Sequence, residues 1–147
     1  MKKPLPPTYL LAAILIMVAL HFLFPWVKVI PLPWNLLGLL PFLLGGVLNL
    51  RADRLFKDRD TTVKPFEESS AFITEGVFGV TRNPMYLGFV LILAGLAAFM
   101  GSATPWAIVP AFAVVMEVVF IRPEERAMEA AFGEAYRTYR MRVRRWV

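Results

Sequence analysis

The chain contains no cysteine, which excludes disulfides and thiolate metal sites. It has one histidine, His21, so a histidine-based metal centre is excluded as well. No internal repeat, low-complexity tract or cleaved leader is expected, because no small-residue cleavage site follows the first apolar run. Charge is scarce: 18% of the 147 residues are charged while 58% are hydrophobic. What little charge there is avoids four apolar stretches, at about 8–24, 32–50, 84–100 and 105–121, each near the ~20 residues that a bilayer-spanning helix needs. The last two are joined by a tight "GSATP" hairpin. One all-α domain over 1–147 is expected: a polytopic membrane protein of four transmembrane helices, a cytoplasmic cap from 51–83 and 122–147, and a C-terminal amphipathic helix.

The distribution of charge sets the expected orientation. Of the 16 Lys and Arg, only Lys28 lies on the far side of the apolar stretches. Short basic loops remain cytoplasmic, so both termini, the 51–82 connection and any polar site are expected there. Ten of the 11 acidic residues share that side, and the eleventh, Glu117, falls within the fourth stretch, about a turn from its cytoplasmic end. Attraction to anionic lipids accounts for the pI near 9.9, so the lipid bilayer is the expected partner and nucleic acid is not. Trp26, Trp34 and Trp106 fit an outer aromatic belt, and the methionines read as packing.

Two polar clusters interrupt this apolar pattern. The first is "VTRNPMYLG", Val80 to Gly88, at the doorway of the third stretch. Asn83 is a favoured N-cap and Pro84 suits the first helical position. The amides of Met85, Tyr86 and Leu87 would then face outward without intrahelical acceptors and, with Arg82 beside them, would favour an anion. Gly88 leaves room for a helix or a ligand. The second cluster is "IRPEERAMEAAFGEAYRTYRMRVRRW". Pro123 is expected to interrupt the fourth helix and can open a new one, with Glu124 and Glu125 in its first turn. Met128, Phe132, Tyr136, Tyr139, Val143 and Trp146, spaced 4, 4, 3, 4, 3, form one helical stripe. Such a helix either lies on the leaflet or folds back to close a pocket. Between the clusters, Phe66, Phe72, Ile73 and Phe78 argue for a partly buried cap. Asn49 and Asp53, four apart, are placed to share a face of the second helix.

The segments "TTVKP", "SSAFITEGVFGVTRNPMYLG" and "PEERAMEAAFGEAYRTYRMRVRRW" resemble the isoprenylcysteine carboxyl methyltransferase and phospholipid methyltransferase superfamily, from about Thr61 to Trp146. The resemblance implies an integral membrane enzyme that uses S-adenosylmethionine at the cytoplasmic surface, outside any Rossmann domain. It implies a cofactor site at Gly76, Arg82, Asn83, Pro84, Tyr86, Leu87, Glu124, Glu125, Tyr136, Tyr139 and Arg140, with Arg82, Glu124 and Glu125 as the catalytic candidates. The acceptor would be lipophilic or a small molecule, and a carboxylate, an amine and a thiol all remain open. Val77 and Gly79 replace the Pro and Arg of the superfamily's G-P-Y-R segment, and Asn83 stands where the carboxyl methyltransferases carry His. A glutathione-using four-helix membrane enzyme and a non-enzymatic adaptor or transporter are the rival readings.

Overall fold

A computed structural model describes residues 4–58 and 72–147. Pro65, Phe66 and the "TTVKP" segment lie outside the described residues. Within them, the regular elements are helical: α1 (Pro6–Leu23), α2 (Leu39–Asp58), α3 (Pro84–Met100), α4 (Ile108–Met116) and α5 (Arg122–Arg142). Short 3-10 turns at Trp34–Gly38, Gly76–Gly79 and Thr104–Ala107 lead into or between them, and a π-helical turn, Glu117–Ile121, joins α4 to α5.

Three helical runs, Pro6–Leu23, Trp34–Asp58 and Thr104–Arg142, are long and apolar enough to cross a membrane, the apolar part of the third lying before Arg122. The fourth apolar helix, α3, has 17 residues, or about 26 Å of rise. Helix α2 continues past Leu50 to Asp58, carrying "RADRLFKD" as part of the same rod. There Asp53 pairs with Lys57 at 2.6 Å, while Asn49 Nδ2 donates to Gly45 O.

Helix α3 is the central element and packs against α1, α2 and α4. Proline occupies the start of both α1 and α3, where its missing N–H costs nothing. At the other end of α3, Gly101 takes φ 73° and its N–H closes on Ala97 O, a left-handed C-terminal cap. The α2–α3 contact depends on small residues. A methyl added at Gly45 would collide with Gly88 O, and one at Gly88 would collide with the Asn49 side chain. Thus the room at Gly88 is taken by a neighbouring helix. The core gathers Met17, Leu93, Ala97, Met116, Phe120 and Ile121 from α1, α3 and the α4–α5 run, while α1 and α2 expose Leu11, Leu15, Leu40, Leu43 and Leu44 outward. An apolar exterior of this kind is what a lipid environment accepts.

Two expectations about the C-terminal region change. Pro123 does not interrupt the fourth helix. Proline cannot donate to the preceding turn and crowds its carbonyl, and the π turn relieves both problems, with the Arg122 N–H reaching back five residues to Glu117 O. The break comes at Gly133, whose φ 52°, ψ −121° is non-helical. The residues around it fold back on each other: Arg137 Nε and Arg140 Nη1 reach the Glu129 carboxylate at 2.9 and 3.3 Å. On a straight helix those residues would be about 12 and 16 Å apart along the axis. The stripe from Met128 to Trp146 is therefore divided between two arms and an extended tail, because Gly133 tolerates a backbone conformation that side-chain-bearing residues avoid.

Candidate functional site

The doorway to α3 and the C-terminal arm meet at one end of the bundle. Arg82, with its side chain 8% exposed, donates through Nε and Nη2 to Glu125 Oε1 at 3.2 and 2.8 Å. Its Nη1 donates to Val143 O at 2.7 Å and to Arg140 O at 3.2 Å. The Arg82 backbone N–H donates to Arg144 O, Thr81 Oγ1 donates to Arg145 O at 3.1 Å, and Asn83 Nδ2 donates to the same oxygen at 3.0 Å. The extended tail is thus strapped across residues 81–83 through its own carbonyls.

Asn83 stands at the N-cap position of α3, but its side-chain oxygen makes no cap hydrogen bond, and its Nδ2 donates to the tail at Arg145 O. The Leu87 amide is also not open, since it donates to Asn83 O at 3.0 Å. Pro84 has no N–H, so Met85 and Tyr86 supply the amides without a partner among the described residues at this end.

Arg145, which periodicity did not single out, is the second hub. Its Nε and Nη2 bind the Glu125 carboxylate, the shortest contact being 2.7 Å, and its Nη1 reaches Glu117 Oε1 at 2.9 Å. Glu117 also takes Arg122 at 3.0 Å and Trp146 Nε1 at 3.4 Å. The carboxylate inside the fourth apolar stretch is thus paired from the polar end. The "RVRRW" tail carried a signal for this, but the chain leaves the helix at Val143, so helical spacing could not say which arginine points inward.

Glu124 and Glu125 are adjacent in sequence and differ in circumstance. Burial opposes ionisation of Glu125, but hydrogen bonds from Arg145 and Arg82 and their charges outweigh it and hold this carboxyl below its usual range. Glu124 has no arginine among its described partners. Its Oε1 accepts the Tyr86 hydroxyl at 2.7 Å. Burial pushes this carboxyl up to about 7, the Tyr86 hydrogen bond opposes that shift, and the charge of Glu125 adds to it. The Tyr86 ring stacks on Phe120 at 6.1 Å, and Phe120 meets Tyr9 edge-on at 5.3 Å, so the hydroxyl is aimed by packing from three helical segments.

Tyr136 and Tyr139 are buried in an aromatic group with Phe72 and Phe132. The Tyr139 hydroxyl donates to Phe78 O at 2.6 Å, which ties the Gly76–Gly79 turn to the C-terminal arm. Gly76 takes φ 60°, consistent with a turn residue. Burial first, and then the charge of Glu125, push Tyr136 up to about 12. The structure therefore brings Arg82, Asn83, Tyr86, Glu124 and Glu125 to one place; Arg140 joins them through its carbonyl alone, its guanidinium turning to Glu129. Gly76 and Tyr139 support this place from behind.

The Phospholipid methyltransferase family model matches residues 34–135, from the turn before α2 to the second arm of α5. The chain belongs to this family. Within the family's wider isoprenylcysteine carboxyl methyltransferase-like superfamily, the doorway and the acidic pair are the segments that carry the resemblance. An uncharacterized protein of Haemophilus influenzae is 38% identical over 63 residues, which amount to 43% of this chain and the whole of that relative. Membership in this family makes the chain a methyltransferase-family protein of membranes, in keeping with its apolar helices.

Proposed function

We propose that the chain transfers a methyl group from S-adenosylmethionine to a protic, membrane-borne acceptor, an amine or a thiol, at the cytoplasmic face. The observation that carries this reading is the division of labour between the paired glutamates. All three nitrogens of Arg82 and of Arg145 are already engaged by Glu125, Glu117 or tail carbonyls, which speaks against either one holding an acceptor carboxylate. Glu124 remains without an arginine among the described residues, and its raised pKa suits a group that takes up a proton near neutrality.

The residues present fit the cofactor by the chemistry of their donors. The open amides at Met85 and Tyr86 suit a carboxylate, and Glu124 suits hydroxyl or ammonium groups. Tyr136 and the adjoining aromatic rings suit a heterocycle or, through their faces, a cation. When bound, the cofactor supplies an electrophilic methyl on a sulfonium. Tyr86 orients the Glu124 carboxylate through its 2.7 Å hydrogen bond. The Glu124 oxygen takes the proton that the acceptor nitrogen or sulfur loses as it becomes nucleophilic. Arg82 acts by position, fixing Glu125 and the tail, and Pro84, Leu87 and Arg140 shape the same corner.

Calorimetry on the detergent-solubilised chain with S-adenosylmethionine, S-adenosylhomocysteine and glutathione tests the cofactor. Binding of the first two is expected, and a response to glutathione alone overturns the reading. Transfer of a labelled methyl into aminophospholipids, hydrophobic thiols and prenylcysteine carboxylates tests the acceptor. Label confined to the carboxylates would refute the role given to Glu124.

A further inference from the structure

On the side of α5 away from Glu124, a cleft of about 180 Å³ is lined by Arg122, Glu125, Arg126, Glu129, Arg140 and Arg145. Residues 122, 126 and 129 recur at helical spacing, so one face of the first arm of α5 forms one wall, and the folded-back arm and tail form the other. Four guanidinium groups surround it against two carboxylates, and both carboxylates are already claimed. Glu125 is held by Arg82 and Arg145, and Glu129 by Arg137 and Arg140. Arg126 is exposed and has no ion-pair partner among the described residues, so its five donors are unspent. Arg122 uses Nε and Nη2 on Glu117, leaving Nη1 available.

The position of the cleft indicates what it would take. Arg122 directly follows Ile121, where the apolar run from Pro105 ends, so the cleft opens at the depth of lipid headgroups. The common anion at that depth is phosphate, for which guanidinium is the favoured partner. We propose that this cleft holds the phosphate of a membrane lipid headgroup through Arg126 and Arg122. The lipid held there serves as an anchor for the first arm of α5 and is not the methyl acceptor, because Glu124 lies on the opposite face of the same helix turn. The proposal stands apart from the methyl-transfer reading.

The test is saturable binding to the full chain in neutral detergent of three probes: dihexanoyl phosphatidylglycerol, dihexanoylglycerol and inorganic phosphate. Wild type is expected to bind the phosphatidylglycerol and not the diacylglycerol. Arg126→Gln should weaken that binding about tenfold, the loss of roughly one charge-assisted hydrogen bond. Arg54→Gln, an exposed arginine on α2, should leave it unchanged. Inorganic phosphate binding as tightly as the lipid would keep the phosphate site and assign it to the free anion. Equal weakening by Arg126→Gln and Arg54→Gln would show diffuse attraction and overturn the proposal, as would equal affinity for dihexanoylglycerol.

Discussion

The two ends of α3 are held by different forces. At its start, Arg82, Arg145, Glu117, Glu125 and Arg122 form a connected ionic network, and the tail is tied down through its carbonyls. At its finish, the α1–α2 connection lies against the "GSATP" hairpin through backbone bonds: Val29 N–H to Gly101 O at 2.8 Å and Ala103 N–H to Val27 O at 2.9 Å. Neutral side-chain links complete that end: His21 Nδ1 to Ser102 Oγ at 2.7 Å, Asn35 Nδ2 to Phe99 O at 2.9 Å and Thr104 Oγ1 to Leu20 O at 3.3 Å; Lys28 is the single charged residue there. Backbone bonds close a loop cheaply but offer no group whose charge can change. The ionic end costs desolvation and so depends on every partner being present. That cost leaves one carboxyl, Glu124, adjacent to the network but outside it.

The contrast can be broken most severely at Arg82. Arg82→Ala leaves the 9%-exposed Glu125 side chain without its shortest arginine contact but one, and a loss of about 3–5 kcal/mol is expected in thermal or denaturant unfolding. Next comes Glu124→Gln, which should fold normally and lower methyl transfer by about 10²-fold, the scale of a lost general base.

The pH profile sharpens this second prediction. Ionisation of Glu124 near 7 should make transfer rise through neutrality. Because its folded pKa lies above the ordinary 4.5, its contribution to stability is complete below 4.5 and is lost as pH rises towards 7. Glu124→Gln should remove both slopes. Tyr86→Phe deletes the hydrogen bond that holds this carboxyl down, so the rising limb should move to higher pH.

Gly133→Ala comes third, at about 1–3 kcal/mol, because a φ of 52° strains an alanine even where its methyl meets open space. The smallest effect belongs to the other end. Ser102→Ala should cost about 1 kcal/mol, one net hydrogen bond, with no change in the pH profile of transfer. A loss at Ser102 as large as that at Arg82 would erase the distinction between the two ends.

Much of this was legible in the chain itself. Apolar runs of spanning length, proline at helix starts and the one-sided placement of Lys and Arg gave the helices and gathered the polar groups at one end. Spacing also brought Arg82 and Tyr86 to the helix mouth and Glu124 and Glu125 to the first turn of α5. It placed Asn83 at the N-cap of α3, as found, but not the use of its side chain: capping would take the Oδ1 acceptor, and the Nδ2 donor holds the tail. It missed Arg145, because helical periodicity ends at Val143. It also ran one stripe through Gly133, since a glycine within a helical pattern carries no mark of whether it will bend.

The sequence alone determined which segments are helical, which are apolar and which end carries the charge, because those properties are set by residue type and spacing within a few turns. Only the tertiary structure decided that α5 doubles back, that Arg82 and Arg145 neutralise Glu125 and not Glu124, and that Tyr86 claims the remaining carboxyl. Those outcomes depend on which donors come within hydrogen-bond distance across 20 to 43 residues of chain, and local pattern holds no record of that competition.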